Sequence, residues 1–124
     1  MTDARIYDRL SRSAAAWPDR PILDVMPETA DRYAIAAGPT RYASFLDQVD
    51  AWAERFTSAG YGPGMRVAVL LENRPLFFVL FCALNKIGAS IVPINPDLRL
   101  AELCYLIGHA EPALVISIPA RVEE

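Results

Sequence analysis

Residues 67–84 restrict the fold more than any other part of the chain. Val67-Ala68-Val69-Leu70-Leu71 is apolar without alternation. Leu76-Phe77-Phe78-Val79-Leu80-Phe81-Cys82-Ala83-Leu84 is apolar again, with only Glu72-Asn73-Arg74-Pro75 between the two runs. A short apolar run that does not alternate suits a strand covered on both faces, as strands of parallel sheets are. The second run opens just after a proline, a favoured residue in the first turn of a helix. Asn73 is the expected N-cap and Gly88 the expected stop. A helix that is apolar all round has to be packed on more than one side.

The flanking sequence extends this unit in both directions. Residues 43–59 predict an amphipathic helix, with Phe45, Val49, Trp52 and Phe56 on one face and Leu46 and Ala53 beside them. Asp47, Gln48, Asp50, Glu54 and Arg55 take the other faces, and Gly60 ends the helix. Residues 90–94 predict a second parallel-type strand. Asp97 is the expected cap of a helix over residues 100–109, with Leu103, Leu106 and Ile107 as its core face. Residues 113–118 predict a third strand. The order αβαβαβ implies an α/β fold whose parallel sheet is covered by helices through right-handed crossovers.

Upstream, residues 4–16 predict a helix capped by Thr2 or Asp3. Ile6, Leu10, Ala14 and Trp17 form its apolar stripe, and Pro18 stops it. Residues 22–26 and 33–37 predict two strands around a turn at residues 27–31, an antiparallel β-hairpin. The 124 residues thus divide into a helix and hairpin (1–41) and a parallel α/β unit (42–124), together one domain.

Composition narrows the partners. Hydrophobic residues make up 53% of the chain and charged residues 22%. That balance is more apolar than most globular domains, so part of the surface is expected to be covered by further chain or by a partner, and a piece that leaves it bare is expected to self-associate. The net charge is −3, with no basic stripe, which argues against nucleic acid. No apolar run is long enough for a membrane span, and the N-terminus has no secretory core, so the cytoplasm is the expected location. Cys82 and Cys104 lack CxxC spacing and lie in apolar segments, where both are expected to be small buried hydrophobes.

Chemistry is sparse. In a parallel sheet, ligands bind beyond the carboxyl ends of the strands. Those positions are Glu72-Asn73-Arg74, Asn95-Pro96-Asp97-Leu98-Arg99 and Pro119-Ala120-Arg121. Simple readings suit most of them. Asn73 is a cap, Glu72 and Arg74 are solvated loop charges, and Asn95-Pro96 is a turn. Arg99 is the one candidate for a working charge, beside a strand end where it could meet a phosphate. Gly60-Tyr61-Gly62-Pro63-Gly64 has spaced glycines but follows a helix and opens a strand, the reverse of a phosphate loop. The lone His109 sits near a helix C-terminus, where its charge complements the dipole. No catalytic or metal-binding constellation is present.

Residues 42–116 resemble the adenylate-forming superfamily of acyl- and aryl-CoA synthetases, luciferases and peptide-synthetase adenylation domains. Tyr42-Ala43-Ser44-Phe45 is similar to the family's Tyr-x-Glu-Leu helix start. The stretch from Gly60 through Met65-Arg66-Val67-Ala68-Val69 is similar to its Gly-Val-x-x-Gly-Asp-Arg-Val-Ala-Leu turn and strand. Glu72-Asn73-Arg74-Pro75 followed by Ala83-Leu84-Asn85-Lys86-Ile87-Gly88-Ala89 resembles Asn-x-x-Glu and Ala-x-x-Lys-x-Gly-Ala. Val92-Pro93-Ile94-Asn95-Pro96 with Glu102-Leu103 resembles Val-Pro-x-Asn-Pro and Glu-Leu. Trp17-Pro18-Asp19-Arg20-Pro21 extends the match upstream. Met65, Ser44 and Arg41 depart from the family's Asp, Glu and Thr, all at scaffold positions.

The resemblance implies the N-terminal part of an AMP-forming acid–CoA ligase. In such enzymes a carboxylate attacks the α-phosphate of ATP, giving an acyl adenylate and pyrophosphate, and the CoA thiolate then displaces AMP. ATP, CoA and Mg²⁺ serve the full-length enzyme, with a small carboxylic acid as substrate. The family's Ser/Thr/Gly-rich phosphate loop and its catalytic lysine have no counterpart in these residues. No catalytic residue carries over, and the piece alone is expected to be inactive and to bind none of these cofactors tightly. Arg99 lies in a turn that in some relatives is near the CoA nucleotide, which implies a contact to a CoA phosphate. The remainder of its own chain is the expected partner. The competing readings are a stand-alone, non-catalytic binding module of the same fold and an unrelated small α/β domain such as a phospho-receiver.

Overall fold

The computed structural model describes residues 6–33, 35–72 and 74–117. Its elements run α1 (Ile6–Ala16), β1 (Pro21–Val25), α2 (Pro27–Tyr33), β2 (Gly38–Arg41), α3 (Tyr42–Ser58), β3 (Arg66–Leu70), α4 (Pro75–Lys86), β4 (Ser90–Pro93), α5 (Leu100–Ala110) and β5 (Leu114–Ser117). The apolar run at 67–71 is the centre of a parallel sheet of order β4-β3-β5. Val67 lies opposite Ile91 and Leu114, and Ala68 opposite Val92 and Val115. Successive strand residues face opposite sides. Val67, Val69 and Leu71 therefore pack with Phe45, Val49 and Phe56 of α3 and with Val79, Leu80 and Leu84 of α4. Ala68 and Leu70 face the other way, towards Ile94 and Leu103.

The helices follow their sequence signals where burial and punctuation agree. α3 buries Phe45, Val49, Ala53 and Phe56, while Trp52 is only half-buried under the Arg55 guanidinium, 4.8 Å from its ring centroid. α4 begins with Pro75 at its first position, as expected, and buries Val79, Leu80, Cys82, Ala83 and Leu84. Its N-cap position is Arg74, which makes no side-chain cap bond. Asn73, the expected cap, lies outside the described residues, as do Thr2 and Asp3. Gly88 is needed where it stands. Its φ is +79°, and a Cβ there would sit 3.4 Å from Pro63 Cγ.

Five local expectations are corrected. The hairpin's antiparallel pairing is present, but the second strand is Gly38–Arg41 rather than 33–37, with Val25 opposite Gly38. Residues 27–33 form helix α2 instead of a turn, because Pro27 can open a helix and Glu28 and Arg32 complement its two ends. Pro39 is tolerated because each strand of a two-stranded ribbon is an edge. The cap of α5 is Arg99, not Asp97. The Asp97 N–H already donates to Asn95 Oδ1 at 2.9 Å, so the chain is still turning there. The Arg99 N–H then donates to Glu102 Oε1 at 3.2 Å. Cys82 is buried, and desolvation pushes its thiol pKa up. Cys104 is exposed, against expectation, because α5 fully buries only Leu103. In α1, Leu10 and Ala14 are buried, but Ile6 and Trp17 at the ends of the stripe are about half exposed, 47% and 49%.

A polar cluster helps dock α1. The Tyr7 N–H donates to Asn85 Oδ1 at 3.0 Å, and the Tyr7 hydroxyl donates to Asp50 Oδ1 at 2.7 Å. Lys86 Nζ donates to the same oxygen at 2.9 Å and lies 4.7 Å from the Tyr7 ring centroid. Burial raises the Tyr7 pKa, and the Asp50 bond adds to it. Burial alone would raise Asp50 as well, but the Tyr7 hydroxyl and the Lys86 ammonium outweigh it and hold the carboxyl low. The bond to Asp50 raises Lys86.

Two measurements check this account. Leu80→Ala, at a fully buried site, should cost about 2–5 kcal/mol in urea unfolding. Asp50→Asn should cost on the order of 1 kcal/mol or less, since the pair is partly solvated. The Asp50 contribution is present above its unfolded pKa and is lost as pH falls through the lowered folded value. The Lys86 and Tyr7 contributions are present below their unfolded values and are lost as pH rises through the raised folded ones. The Tm difference between Asp50→Asn and the parent should therefore be flat from about pH 5 to 9 and shrink towards pH 3.

Candidate functional site

The carboxyl ends of β3 and β4 open into a cleft of about 330 Å³. Continuing past β3, Leu71 forms its floor and Glu72 its rim, while Ile94, Asn95 and Asp97 enter from the end of β4. Tyr33 at the end of α2 and Phe77 in the first turn of α4 supply aromatic walls. This is where a parallel sheet places a ligand. The glycine-rich stretch at 60–64 lies at the amino end of β3, away from the cleft, which agrees with its rejection as a phosphate loop.

The charges at the β3 end are not solvated loop charges. Arg74 Nη2 approaches Glu72 Oε1 to 2.8 Å, and the two side chains are only 21% and 20% exposed. The Arg74 guanidinium also lies over the Tyr33 ring, 5.2 Å from its centroid. The Arg74 N–H donates to the Glu72 carbonyl at 2.8 Å, which folds the two residues together. The contact is one of charge rather than alignment: among the described residues Glu72 Oε1 accepts no hydrogen bond and Arg74 Nε donates none, though both atoms are shielded from solvent. Glu72 lines the cleft, while Arg74 behind it is held between Glu72 and the Tyr33 ring that α2 brings across the strand end. The sequence holds no local signal for that, since Tyr33 and Arg74 are far apart in the chain.

At the β4 end, Asn95 and Pro96 form the expected turn, with Pro96 buried. Asn95 and Asp97 reach the cleft. Arg99 is exposed at the N-cap of α5 and does not line the cleft. It caps through its backbone, leaving its guanidinium uncommitted to the helix start. Pro119, Ala120 and Arg121 lie outside the described residues. His109 is in the last turn of α5, where the dipole favours it, and stacks on Tyr105 at 5.9 Å between centroids.

Among the described residues the cleft's charged lining is two carboxylates, Glu72 and Asp97. Among the described residues, no three His, Cys, Asp or Glu side chains gather as a metal site. This donor set does not fit a magnesium triphosphate. Among the described residues no helix is long and apolar enough to cross a membrane.

Comparison with known proteins agrees with this geometry. Residues 10–124 match the family model described as AMP-binding enzyme. The chain is 30% identical over 106 residues to the vibriobactin-specific 2,3-dihydroxybenzoate-AMP ligase of Vibrio cholerae, covering 81% of this chain and 20% of that one. It is 36% identical over 76 residues to a crotonobetaine/carnitine–CoA ligase of Salmonella enteritidis, covering 61% and 15%. Among solved structures it resembles a Rhodopseudomonas palustris protein named as a long-chain-fatty-acid CoA ligase. There the TM-score is 0.83 at 25% identity, over 98% of this chain and 28% of that one. It also resembles the N-terminal subdomain of Klebsiella oxytoca NpsA, with a TM-score of 0.76 at 22% identity, over 91% and 27%. The chain thus spans a fifth or less of the length of these curated relatives.

The Glu72–Arg74 contact can be checked by a double-mutant cycle of Glu72→Gln and Arg74→Met. A coupling of about 1 kcal/mol in unfolding free energy is expected, and additive single effects would show that the charges stabilise nothing together.

Proposed function

The chain belongs to the AMP-binding enzyme family, and from that premise we propose that it is the N-terminal part of an ATP-dependent, AMP-forming acid–CoA ligase. The observation that carries the proposal is the family match over residues 10–124, on a sheet whose strand ends open into a cleft. The relatives' names support the chemistry in two grades. The relative named as a 2,3-dihydroxybenzoate-AMP ligase supports adenylate formation, and the one named as a CoA ligase gives looser support to transfer to CoA. The substrate class is a small carboxylic acid, and the working location is the cytoplasm.

In this reading the 124 residues are scaffold. β3 and β4 hold the Glu72–Arg74 and Asn95–Asp97 turns in place, and the phosphate-handling residues belong to the remainder of a family-length chain. ATP, CoA and Mg²⁺ are cofactors of that whole enzyme. Arg99 is proposed to meet a CoA phosphate. Its exposed guanidinium beside the β4 end suits a contact made at the surface rather than within the cleft.

The test begins with the coding sequence past Glu124, which should continue into a Ser/Thr/Gly-rich loop ending in Pro-Lys. The longer product should release pyrophosphate from ATP in the presence of a matching acid and give a thioester when CoA is added. The 124-residue chain alone should show no acid-dependent ATP–pyrophosphate exchange. In the longer product, Arg99→Ala should raise KM for CoA roughly tenfold, equivalent to about 1.4 kcal/mol, and leave the exchange reaction unchanged. Thioester formation with an unaltered KM for CoA would remove Arg99 from the site. A stop codon after Glu124 would turn the reading to the non-catalytic binding module.

A further inference from the structure

The segment that joins β1 to β2 leaves the body of the fold and returns to it. Its two ends are fixed by the ribbon, where Val25 lies opposite Gly38. Between them α2 runs from Pro27 to Tyr33. A helix this short does not hold itself in water, so its stability has to come from packing. That packing is thin. Ala30 is the one residue of α2 that is fully buried, and an alanine has a single methyl group to bury. Among the described residues α2 makes no extended contact with any other helix or strand.

The helix is also undercut. Met26 and Thr29 share a cavity of about 160 Å³ with Arg74, Pro75 and Phe78, so α2 does not close down on the start of α4. A second cavity, of about 360 Å³, lies between residues 35–40, which follow α2, and the same Arg74 and Pro75. The cleft has Tyr33 as one of its aromatic walls. Close-packed interiors leave no such gaps, and side chains that border them lose contacts on one side. What ties the C-terminal end of α2 to the body is the Tyr33 ring under the Arg74 guanidinium, 5.2 Å from the ring centroid. A cation–π contact of this kind is weak enough to break and re-form while the rest of the protein stays folded. Arg74 itself stands at the N-cap of α4 and so belongs to the fixed body.

We infer that α2 is a lid on the cleft and that the Tyr33–Arg74 stack is its latch. Closed, the lid holds Tyr33 across the carboxyl end of β3, where with Phe77 it walls the cleft. Open, α2 carries Tyr33 away and uncovers Leu71 on the floor. The pairing of Val25 with Gly38 lets the segment lift without disturbing the parallel sheet or the helices over it. The latch has one half on the moving piece and the other on the fixed one. This device controls entry to the cleft whatever the cleft binds, and it stands or falls apart from the ligase reading.

Native-state hydrogen exchange read by mass spectrometry tests it. The α2 amides should exchange through a local opening, on the order of a hundredfold or more faster than those of β3, which open only when the whole protein unfolds. Arg74→Met removes the cation and keeps the ring. It should speed α2 relative to β3 by a further roughly five- to tenfold. Tyr33→Phe keeps the ring and the cation together and should exchange like the parent. Leu71→Cys combined with Cys104→Ser reads the cleft itself. A soluble disulfide reagent should label the thiol on the floor, and adding Arg74→Met should speed labelling by a similar factor. Equal exchange in α2 and β3 would overturn the lid, as would an α2 rate that ignores the loss of the guanidinium. Faster exchange without faster labelling would show a fraying helix and overturn it too. If Leu71→Cys does not fold, the exchange rates of the other variants decide. The same pattern is expected in a product extended past Glu124, and α2 protected there to the level of β3 would overturn the lid in the longer chain.

Discussion

Everything in this structure depends on burying β3 from both sides. Val67, Ala68 and Val69 are fully buried and Leu70 nearly so, without a polar side chain among them. Such a strand meets its backbone hydrogen-bonding needs only with a neighbour on each edge, which β4 and β5 supply in parallel. Its side chains meet theirs only with a layer above and a layer below. Parallel neighbours require crossovers, so the helices are dictated by the strand they cover. Burial of these few residues thus sets the layering and fixes which end of the sheet carries the turns of the cleft.

The two layers are unequal. On one face, α3 and α4 interlock over Val67, Val69 and Leu71, and α1 adds Leu10 and the Tyr7–Asp50–Lys86 cluster. On the other, α5 alone meets Ala68 and Leu70. The smaller side chain at 68 lets α5 approach the centre of the sheet, but one helix spans only part of three strands. That asymmetry agrees with a composition richer in apolar residues than a domain of this size needs for itself.

Sequence reasoning succeeded where a signal was local. The 67–71 strand, the 76–84 helix, its Pro75 start and the Gly60 and Gly88 stops each rest on a few adjacent residues, and each is present. The structure has a cleft at two of the three strand ends where the αβαβαβ order predicts ligand positions, those of β3 and β4, because strand direction follows from that order. Sequence reasoning missed what depends on distant partners. Tyr33 was assigned to a strand, yet it ends α2 and stacks under Arg74. Asp50 was assigned to a solvated face, yet it joins α1, α3 and α4. Cys104 has the same apolar neighbourhood in sequence as Cys82, and only the number of covering layers separates them.

The sequence by itself therefore determined the fold class, the αβαβαβ order that follows the hairpin and the family, since periodicity, punctuation and motif spacing are all properties of neighbouring residues. The tertiary structure alone decided the sheet order with β3 at its centre, the partial burial of the Glu72–Arg74 pair and the bare outer face of α5. Those outcomes are set by which elements meet, and a contact between residues far apart in the chain leaves no trace in the local pattern of either.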